Sequence, residues 1–442
     1  MVTNSYLTID MITEEALVVL KNNFVLGRMC LRSFDSSFGK VQSQIGDTIR
    51  IRVPSRFTTV TGPAAAPQNT TQIQIPLAVQ TQRHADFEYT TADLTLQLGE
   101  FSDQVLKSAM AQLASDIDED GLSTIIGGTI AAGTYAGSYS GIANVVTPGA
   151  ITNGAPVAWV GNDLSTLLPF NNARAYLESE SAPKGDRYTM IDPFSSAGVV
   201  DYLKSLFQDS TQISEQYKRG YMGTAAGFEW NESNNLPSFV AGTRVATGNT
   251  VTTSSVDGDS TLAVTLTASG LTVKKGDQLW VGAVSGSVDA INPLNRKSYG
   301  KKRLFVATAT VTSGGGGAVV IPVSTGQAAG AAIVSSGASN NQYATVSQLP
   351  QSGDAVTFVG AAGANTVAQL AWHKDAFALG VVPLKDVSGK GAECYFATDE
   401  ESGLGLRHVS QYLSSTDQVI DRIDILYGWQ LVRPSLACRV QG

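Results

Sequence analysis

The chain has 442 residues, a length that allows two or three compact units, each with its own hydrophobic core. Charged residues make up only 15% of the chain, against about a quarter in an average protein, and the net charge is −8. The low charge density suggests that self-association covers part of the surface. The negative net charge disfavours a general nucleic-acid-binding protein, which needs a basic face.

Cysteine spacing and hydropathy indicate the compartment in which the protein is made. The three cysteines, Cys30, Cys394 and Cys438, lie far apart and form no CxxC motif, which fits a reducing compartment. The N-terminus lacks a basic segment followed by an apolar core, and no run of about 18 apolar residues occurs. We therefore expect a soluble protein made inside the cell, with no membrane partner.

The first 80 residues predict a helix followed by a long hairpin. Residues 13–31 carry an apolar stripe at helical spacing, with Thr13 as the N-cap. Residues 48–53 and 73–79 alternate apolar and polar side chains, and the segment between them is rich in Pro, Gly and Ala. The apolar face of such a hairpin needs a partner, which either its own domain or a neighbouring subunit could supply.

Charge is distributed unevenly between this hairpin and the segment after it. Residues 47–83 hold four arginines and one aspartate, whereas residues 100–120, predicted as a long helix, hold six acids and one lysine. Only a short linker separates the two, so we expect them to meet their counterparts on neighbouring subunits. The predicted contact residues are Arg50, Arg52 and Arg56 on the hairpin and Asp116, Asp118 and Asp120 on the helix.

The remainder of the chain predicts an α+β body that carries an inserted all-β domain. Helices are expected at 164–180, interrupted at Pro169, and at 194–207. Residues 242–350 consist of short β-branched runs separated by Gly, Ser and Asp, the texture of a barrel-like domain. Near the C-terminus, alternating apolar residues predict a core strand that ends at a turn near Gly428.

No catalytic or cofactor site stands out. "DIDEDG" at 116–121 matches the first half of a calcium loop, but position 12 is Gly127, and the helical periodicity continues through it. An acidic helix end is therefore favoured. "SGGGG" at 313–317 has no following Lys-Ser/Thr, and His373 is expected to be a surface or interface residue. We predict a protein that is not an enzyme and that has no metal or cofactor.

Two further segments are distinctive. "NRKSYGKKR" is strongly basic and fits either a solvated loop or an inter-subunit contact; its cations are Arg296, Lys297, Lys301, Lys302 and Arg303. "GYMGTAAGFEWNESNNLP", at 220–237, has glycine turns and aromatic residues but no reactive group. Its Phe228, Trp230 and Pro237 are predicted to fix the point where the chain leaves the body for the inserted domain.

The order of these motifs resembles a known family. "GDTIRIRVPSRFT", "GEFSDQVLKSAMAQLASDIDEDGL", "RYTMIDP", "GYMGTAAGFEWNESNNLP", "VKKGDQLWVGAV", "AWHKDAFALGVVPL" and "DILYGWQLVRP" follow one another as in the major capsid (coat) proteins of tailed phages of the Salmonella phage P22 coat protein family. The resemblance implies the Hong Kong ninety-seven (HK97) capsid fold with an inserted β-barrel. The implied parts are an N-terminal arm (1–45), an extended loop with its return strand (46–98), a spine helix (99–130), a first peripheral and axial part (131–241), the insertion (242–350) and a second axial and peripheral part (351–442).

The resemblance also implies a function. Such a protein self-assembles through hexamers and pentamers, with a separate scaffolding protein, into the icosahedral head that encloses double-stranded DNA. Portal and decoration proteins are further implied partners, the location is the virion, and assembly occurs in the host cytoplasm. Loop 289–303 is the implied two-fold contact. The chain has no Lys between Lys40 and Lys107, so a covalent lock from the extended loop is not expected. The alternatives are a β-rich tail or adhesin-type protein and a polysaccharide-active enzyme.

Overall fold

The structure is a computed structural model. It describes residues 9–32, 48–59, 61–65, 67, 73–90, 106–126, 144–146, 167–203, 223–282, 288–325, 333–337, 341–389, 392–399 and 404–440. The first part of the predicted spine helix and most of residues 127–160 lie outside these ranges. The chain forms two compact units, unit 1 (Met1–Ile51, Pro76–Gly121, Ala378–Gln430) and unit 2 (Arg52–Ile75, Leu122–Phe377, Leu431–Gly442).

The helices and strands follow the predicted order. The helices are α1 (Ile9–Asn23), α2 (Lys107–Ile126), α3 (Leu168–Ser179) and α4 (Pro193–Leu203). The strands are β1 (Thr48–Val53), β2 (Ile73–Ala78), β3 (Thr81–Thr90), β4 (Asn144–Val146), β5 (Arg187–Ile191), β6 (Thr224–Ala225), β7 (Phe228–Glu232), β8 (Ser238–Val240), β9 (Asn249–Val251), β10 (Thr261–Thr265), β11 (Thr272–Val273), β12 (Gln278–Gly282), β13 (Asp289–Ile291), β14 (Ser298–Lys302), β15 (Leu304–Ala307), β16 (Val311–Thr312), β17 (Ala318–Ser324), β18 (Ala355–Phe358), β19 (Asn365–Val367), β20 (Gln369–His373), β21 (Phe377–Val382), β22 (Glu393–Asp399), β23 (Leu404–Leu413), β24 (Gln418–Leu431) and β25 (Ala437–Val440).

Unit 1 is built on the long strand β24. It pairs antiparallel with β23 and with β3, and β22 continues the sheet beyond β23. Helix α1 buries Ala16, Leu20 and Phe24 and packs on β22 and β23. The helix begins four residues before the predicted N-cap, so Thr13 lies inside it and is buried. That capping prediction is wrong.

Strand β24 also corrects the prediction of a turn near Gly428. The strand runs through this glycine to Leu431. A Cβ on Gly428 would lie 2.0 Å from the carbonyl oxygen of Ala78. Glycine is therefore required here for the close approach of another backbone, which is the alternative meaning of a glycine inside a strand.

The body of unit 2 is a six-stranded sheet in the order β4-β25-β20-β5-β7-β6. Helix α3 packs on β25, β4 and β20. Pro169 lies in its first turn, where the missing N–H has no helical partner in any case, so it begins the helix rather than interrupting it. Helix α4 begins directly after β5.

The inserted domain is a closed six-stranded barrel in the order β10-β17-β15-β12-β18-β9. Its interior is filled by fully buried apolar side chains such as Val264, Leu279, Phe305 and Ile321. The predicted end at residue 350 falls before the last barrel strand, β18. Strands β8 and β19 pair antiparallel just before and just after the barrel and so form its stem.

Candidate functional site

Strand β1 presents two of the predicted contact arginines to solvent. Ile49 and Ile51 are buried, whereas Arg50 and Arg52 are exposed. A Cβ on Gly380 in β21 would lie 3.2 Å from the Ile49 side chain, so the apolar face of the hairpin base packs within its own chain. The basic face remains at the surface.

Asp120 of the acidic helix is buried and bound by its own chain. Arg83 on β3 donates hydrogen bonds to its carboxylate at 3.0 Å from Nη2 and 3.2 Å from Nε, and the Tyr427 hydroxyl donates another. Burial, together with the charge of Asp120, raises the pKa of Tyr427. The end of the basic segment and the acidic helix thus meet within one chain at this point.

Asp118 is also buried, and it binds the segment just after helix α1. Its carboxylate accepts hydrogen bonds from the backbone N–H groups of Val25 and Leu26 at 3.3 and 3.2 Å. These groups begin a 3₁₀ turn, Leu26–Met29, and have no helical partner of their own. Burial raises the pKa of Asp118 to about 7.

The outcome for the three acidic contact candidates is therefore mixed. Asp118 and Asp120 are used inside the chain and are not available as surface contacts, which corrects the prediction for both. Asp116 keeps a partly exposed carboxylate, 3.7 Å from Arg83. All three lie within α2, so "DIDEDG" is a helical segment and not a calcium loop.

The predicted basic loop is a tight turn organised by Asn292. Its Oδ1 accepts the N–H of Leu294 at 2.9 Å, and its Nδ2 donates to the carbonyl oxygen of Ser179 at 2.6 Å. The turn is closed by Arg296, whose φ of 54° lies in the left-handed region. The loop is therefore fixed to the end of α3 in unit 2.

Arg303, at the end of this loop, is a buried structural residue. Its Nη1 lies 2.6 Å from Oε1 of Glu180, and neither side chain is more than 2% exposed. The Tyr299 hydroxyl donates to the same oxygen at 3.0 Å. Arg56 also lies in the field of Glu180, but burial dominates and lowers the pKa of its guanidinium. Arg303 is therefore not a surface contact, contrary to the prediction.

The other cations of the loop differ in exposure. Lys297 is exposed at the turn, whereas Lys301 and Lys302 are half-buried in β14. The Lys302 ammonium lies 3.8 Å from Asp289 on the paired strand. Lys297 is thus the member of the cluster best placed to meet another molecule.

Two exposed apolar side chains lie beside these cations. Leu294 is 77% exposed and Phe57 is 59% exposed. Arg296 connects the two segments, because its Nη2 donates to the carbonyl oxygen of Phe57 at 2.7 Å. No local sequence pattern predicts this juxtaposition, because it depends on a hydrogen bond between residues 239 positions apart.

The predicted junction residues lie where the body sheet ends and the barrel stem begins. Phe228 and Trp230 are buried on β7, and the Trp230 ring packs against Phe170 of α3 with ring centroids 4.4 Å apart. Pro237 directly precedes β8, and its carbonyl oxygen accepts the N–H of Ala368 at 3.4 Å. This placement supports the proposal that these residues fix the point where the chain leaves the body for the inserted domain.

Sequence reasoning missed the ion pair that closes the base of the barrel. Arg244 Nη2 lies 3.0 Å from Oδ1 of Asp277, and both side chains are buried. Arg244 also donates to the carbonyl oxygens of Val359 and Gly360 at 2.7 and 2.9 Å. The sequence does single out Arg244, because it is the only charged residue between Glu232 and Asp257.

Two histidines are buried within the chain. His373 is 6% exposed and accepts the Asp375 N–H at 3.2 Å, so its prediction as a surface residue is wrong. His408 lies on β23, with its Nδ1 3.1 Å from the Thr13 hydroxyl and its Nε2 3.4 Å from Asp421. The Thr13 contact attaches helix α1 to the sheet, and the Asp421 contact joins β23 to β24.

The described ranges show neither clustered metal ligands nor a long apolar helix. No group of three or more His, Cys, Asp or Glu side chains there is arranged to hold a metal ion. In the same ranges, no helix combines the length and apolarity required to cross a membrane.

A family model settles the relationship of the chain. The model of the P22 coat protein (gene protein 5) matches residues 1–441. The chain belongs to the P22 coat protein family. It is therefore a major capsid protein of a phage virion, from a family of structural coat proteins that self-assemble into a shell.

Solved phage structures are also similar to this coat protein. The capsid of Ralstonia phage GP4 has 7% identity and a TM-score of 0.45, covering 93% of this chain and 86% of that one. A Mycobacterium phage Che8 structure has 12% identity and a TM-score of 0.41, covering 94% and 90%. A satellite phage P4 procapsid that includes a size determination (Sid) protein has 8% identity and a TM-score of 0.36, covering 100% and 92%. Among curated proteins, none matches the coat protein.

Proposed function

We propose that copies of this coat protein assemble, with a separate scaffolding protein, into an icosahedral head of hexamers and pentamers that encloses double-stranded DNA. The observation that carries the proposal is the family match over residues 1–441. The net charge of −8 supports packaging without adhesion, since a protein with net negative charge repels phosphate. A portal protein, decoration proteins and assembly in the host cytoplasm belong to the same proposal.

We assign the parts of the HK97 capsid fold to this chain as the sequence implied. The hairpin β1–β2 corresponds to the extended loop, α2 to the spine helix, and the barrel to the insertion. The six-stranded sheet of unit 2, with α3 and α4, corresponds to the axial domain. The antiparallel β8–β19 stem supports the insertion assignment, because the chain leaves and re-enters the body at one place.

The contacts between copies use the cations that the fold leaves at the surface. Arg50 and Arg52 on β1 and Lys297 in the loop are exposed. By contrast, Arg303, Asp118 and Asp120, held by partners in the same chain, stabilise the subunit itself. Each exposed contact is weak, and a closed shell multiplies weak contacts while letting misplaced copies dissociate.

Co-expression with the scaffolding protein tests this function. Sedimentation followed by negative-stain electron microscopy should give closed, uniform particles. Fibres would favour the tail or adhesin-type alternative, and a folded monomer without particles would contradict the assembly proposal. The Arg50→Glu/Arg52→Glu variant should fold but give few particles, while Lys184→Glu, a change at an exposed turn residue, should assemble normally.

A further inference from the structure

Phe194 is the most exposed large apolar side chain among the described residues. It is 81% exposed in the first turn of α4. Its backbone is nevertheless fixed, because Oδ2 of Asp192 accepts the N–H groups of Phe194 and Ser195, each at 3.1 Å. The capped helix start fixes the backbone that carries this ring.

The helix that carries Phe194 and the neighbouring strand β7 hold several acids. Residues 188–203 and 223–243 contain Asp192, Asp201, Glu229 and Glu232 but no lysine or arginine. Glu232 accepts a hydrogen bond from the Ser196 hydroxyl, which places its carboxylate beside the first turn of α4. Asp201, Glu229 and Glu232 are exposed. Phe194, the exposed Asp201 of α4 and the exposed Glu229 and Glu232 of the adjoining strand β7 are here called the Phe194 face.

The hairpin carries the opposite combination. Residues 48–59 contain three arginines and no acid. Arg50 and Arg52 are exposed, and Phe57 follows them at 59% exposure. Since these side chains and Phe194 are all exposed in the chain, the two surfaces do not cover each other within one copy. The buried Asp118 and Asp120 cannot be the partners of these arginines in another copy.

We propose that the hairpin surface of Arg50, Arg52 and Phe57 docks on the Phe194 face of a second copy of this chain. The inference rests on the proposed function and names a contact for it. The contact is heterologous, since different surfaces of two copies meet, and a heterologous contact forms a ring when the rotation between copies closes. Its composition, an apolar centre with a charged rim of opposite signs, is that of a specific protein interface.

Engineered cysteines test the contact directly. In shells of the Arg52→Cys/Glu229→Cys variant, oxidation should join copies into a ladder of covalent multimers on a non-reducing gel. Native Cys30 and Cys438 are buried, and the two single variants control for half-buried Cys394. Arg52→Cys paired with Lys184→Cys is the matched control and should give no ladder. Shells that form normally but give no ladder with Arg52→Cys/Glu229→Cys would overturn the proposal.

Charge reversal supplies an independent arm. Arg50→Glu/Arg52→Glu and Glu229→Lys/Asp201→Lys should each raise the protein concentration needed for assembly about tenfold or more, and the combined four-fold variant should restore assembly. Phe194→Ser should impair assembly, whereas Leu168→Ser, at another exposed apolar residue, should not. Circular dichroism confirms that each variant folds. Wild-type protein that makes no shells would contradict the proposed function. Wild-type shells together with normal assembly of both reversed pairs would contradict only the docking contact.

Discussion

Replacing Arg244 by Met removes the group that closes the base of the barrel. The guanidinium connects the start of the inserted domain to its end, through the carbonyl oxygens of Val359 and Gly360, and to Asp277 in the turn before β12. It also lies 5.0 Å above the Phe358 ring. Methionine is nearly as long as arginine and is apolar. The change therefore deletes the charge and the hydrogen bonds while largely filling the space.

The size of the destabilisation depends on the hydrogen bonds that Asp277 retains in the variant. Asp277 keeps hydrogen bonds from the N–H groups of Gly242 and Lys274, at 3.1 and 2.7 Å, but loses its only described cation. Removing one partner of a buried ion pair costs about 3–5 kcal/mol. Two backbone donors offset part of this cost, so we expect about 3 kcal/mol. At about 1.4 kcal/mol per factor of ten, local opening of the barrel becomes roughly 100-fold more frequent.

Hydrogen exchange measured by mass spectrometry resolves this effect by segment. Peptides from the barrel strands β10 and β17 should exchange roughly 100-fold faster in Arg244→Met, whereas peptides from α2 should be unchanged. Arg244→Met/Asp277→Asn should recover part of the protection, because no unpaired charge remains buried. Unchanged exchange in the single variant would refute the view that this pair holds the barrel closed.

Three further variants test other internal contacts. Arg303→Gln should destabilise unit 2 by about 3 kcal/mol in urea unfolding, while the exposed Lys297→Gln should change it by less than about 0.5 kcal/mol; equal effects would contradict the assignment of Arg303 as structural. For Asp118, a folded pKa of about 7 against about 3.9 unfolded means that stability is greatest below pH 4 and falls as pH rises towards 7. Asp118→Asn should therefore flatten the pH dependence of unfolding, and an unchanged profile would exclude this carboxyl as its source. Thr13→Val should speed hydrogen exchange in α1 by loss of about 1 kcal/mol, with Thr13→Ser as the conservative control, and equal exchange in both variants would contradict a role for the hydroxyl contact with His408.

Local patterns predicted much of the fold. Alternation identified β1, β2 and β24, and the change in composition near residue 242 lies seven residues before the first barrel strand. The end of the insertion was placed too early because β18 is only four residues long and lies beyond a Gly- and Ser-rich stretch. At Gly428 the reason for glycine is the close approach of a backbone distant in sequence, which periodicity along the strand cannot predict.

The position of Asp120 on its helix indicated burial, although the count of charges in the segment did not. Asp120 follows Leu113 and Ile117 at helical spacing and so lies on the apolar stripe of α2. A carboxylate on a buried stripe needs a partner, and the sequence does not show that Arg83 and Tyr427 supply it. The exposure of Phe57 and Phe194 depends on tertiary packing, which no local sequence pattern predicts.

Cryo-electron microscopy of particles from co-expression with the scaffolding protein tests the central claim most directly. The account predicts closed icosahedral shells built from hexamers and pentamers, each subunit carrying a barrel on a two-stranded stem. Fibres, open sheets or folded monomers under conditions where the scaffolding protein is present and soluble would contradict it.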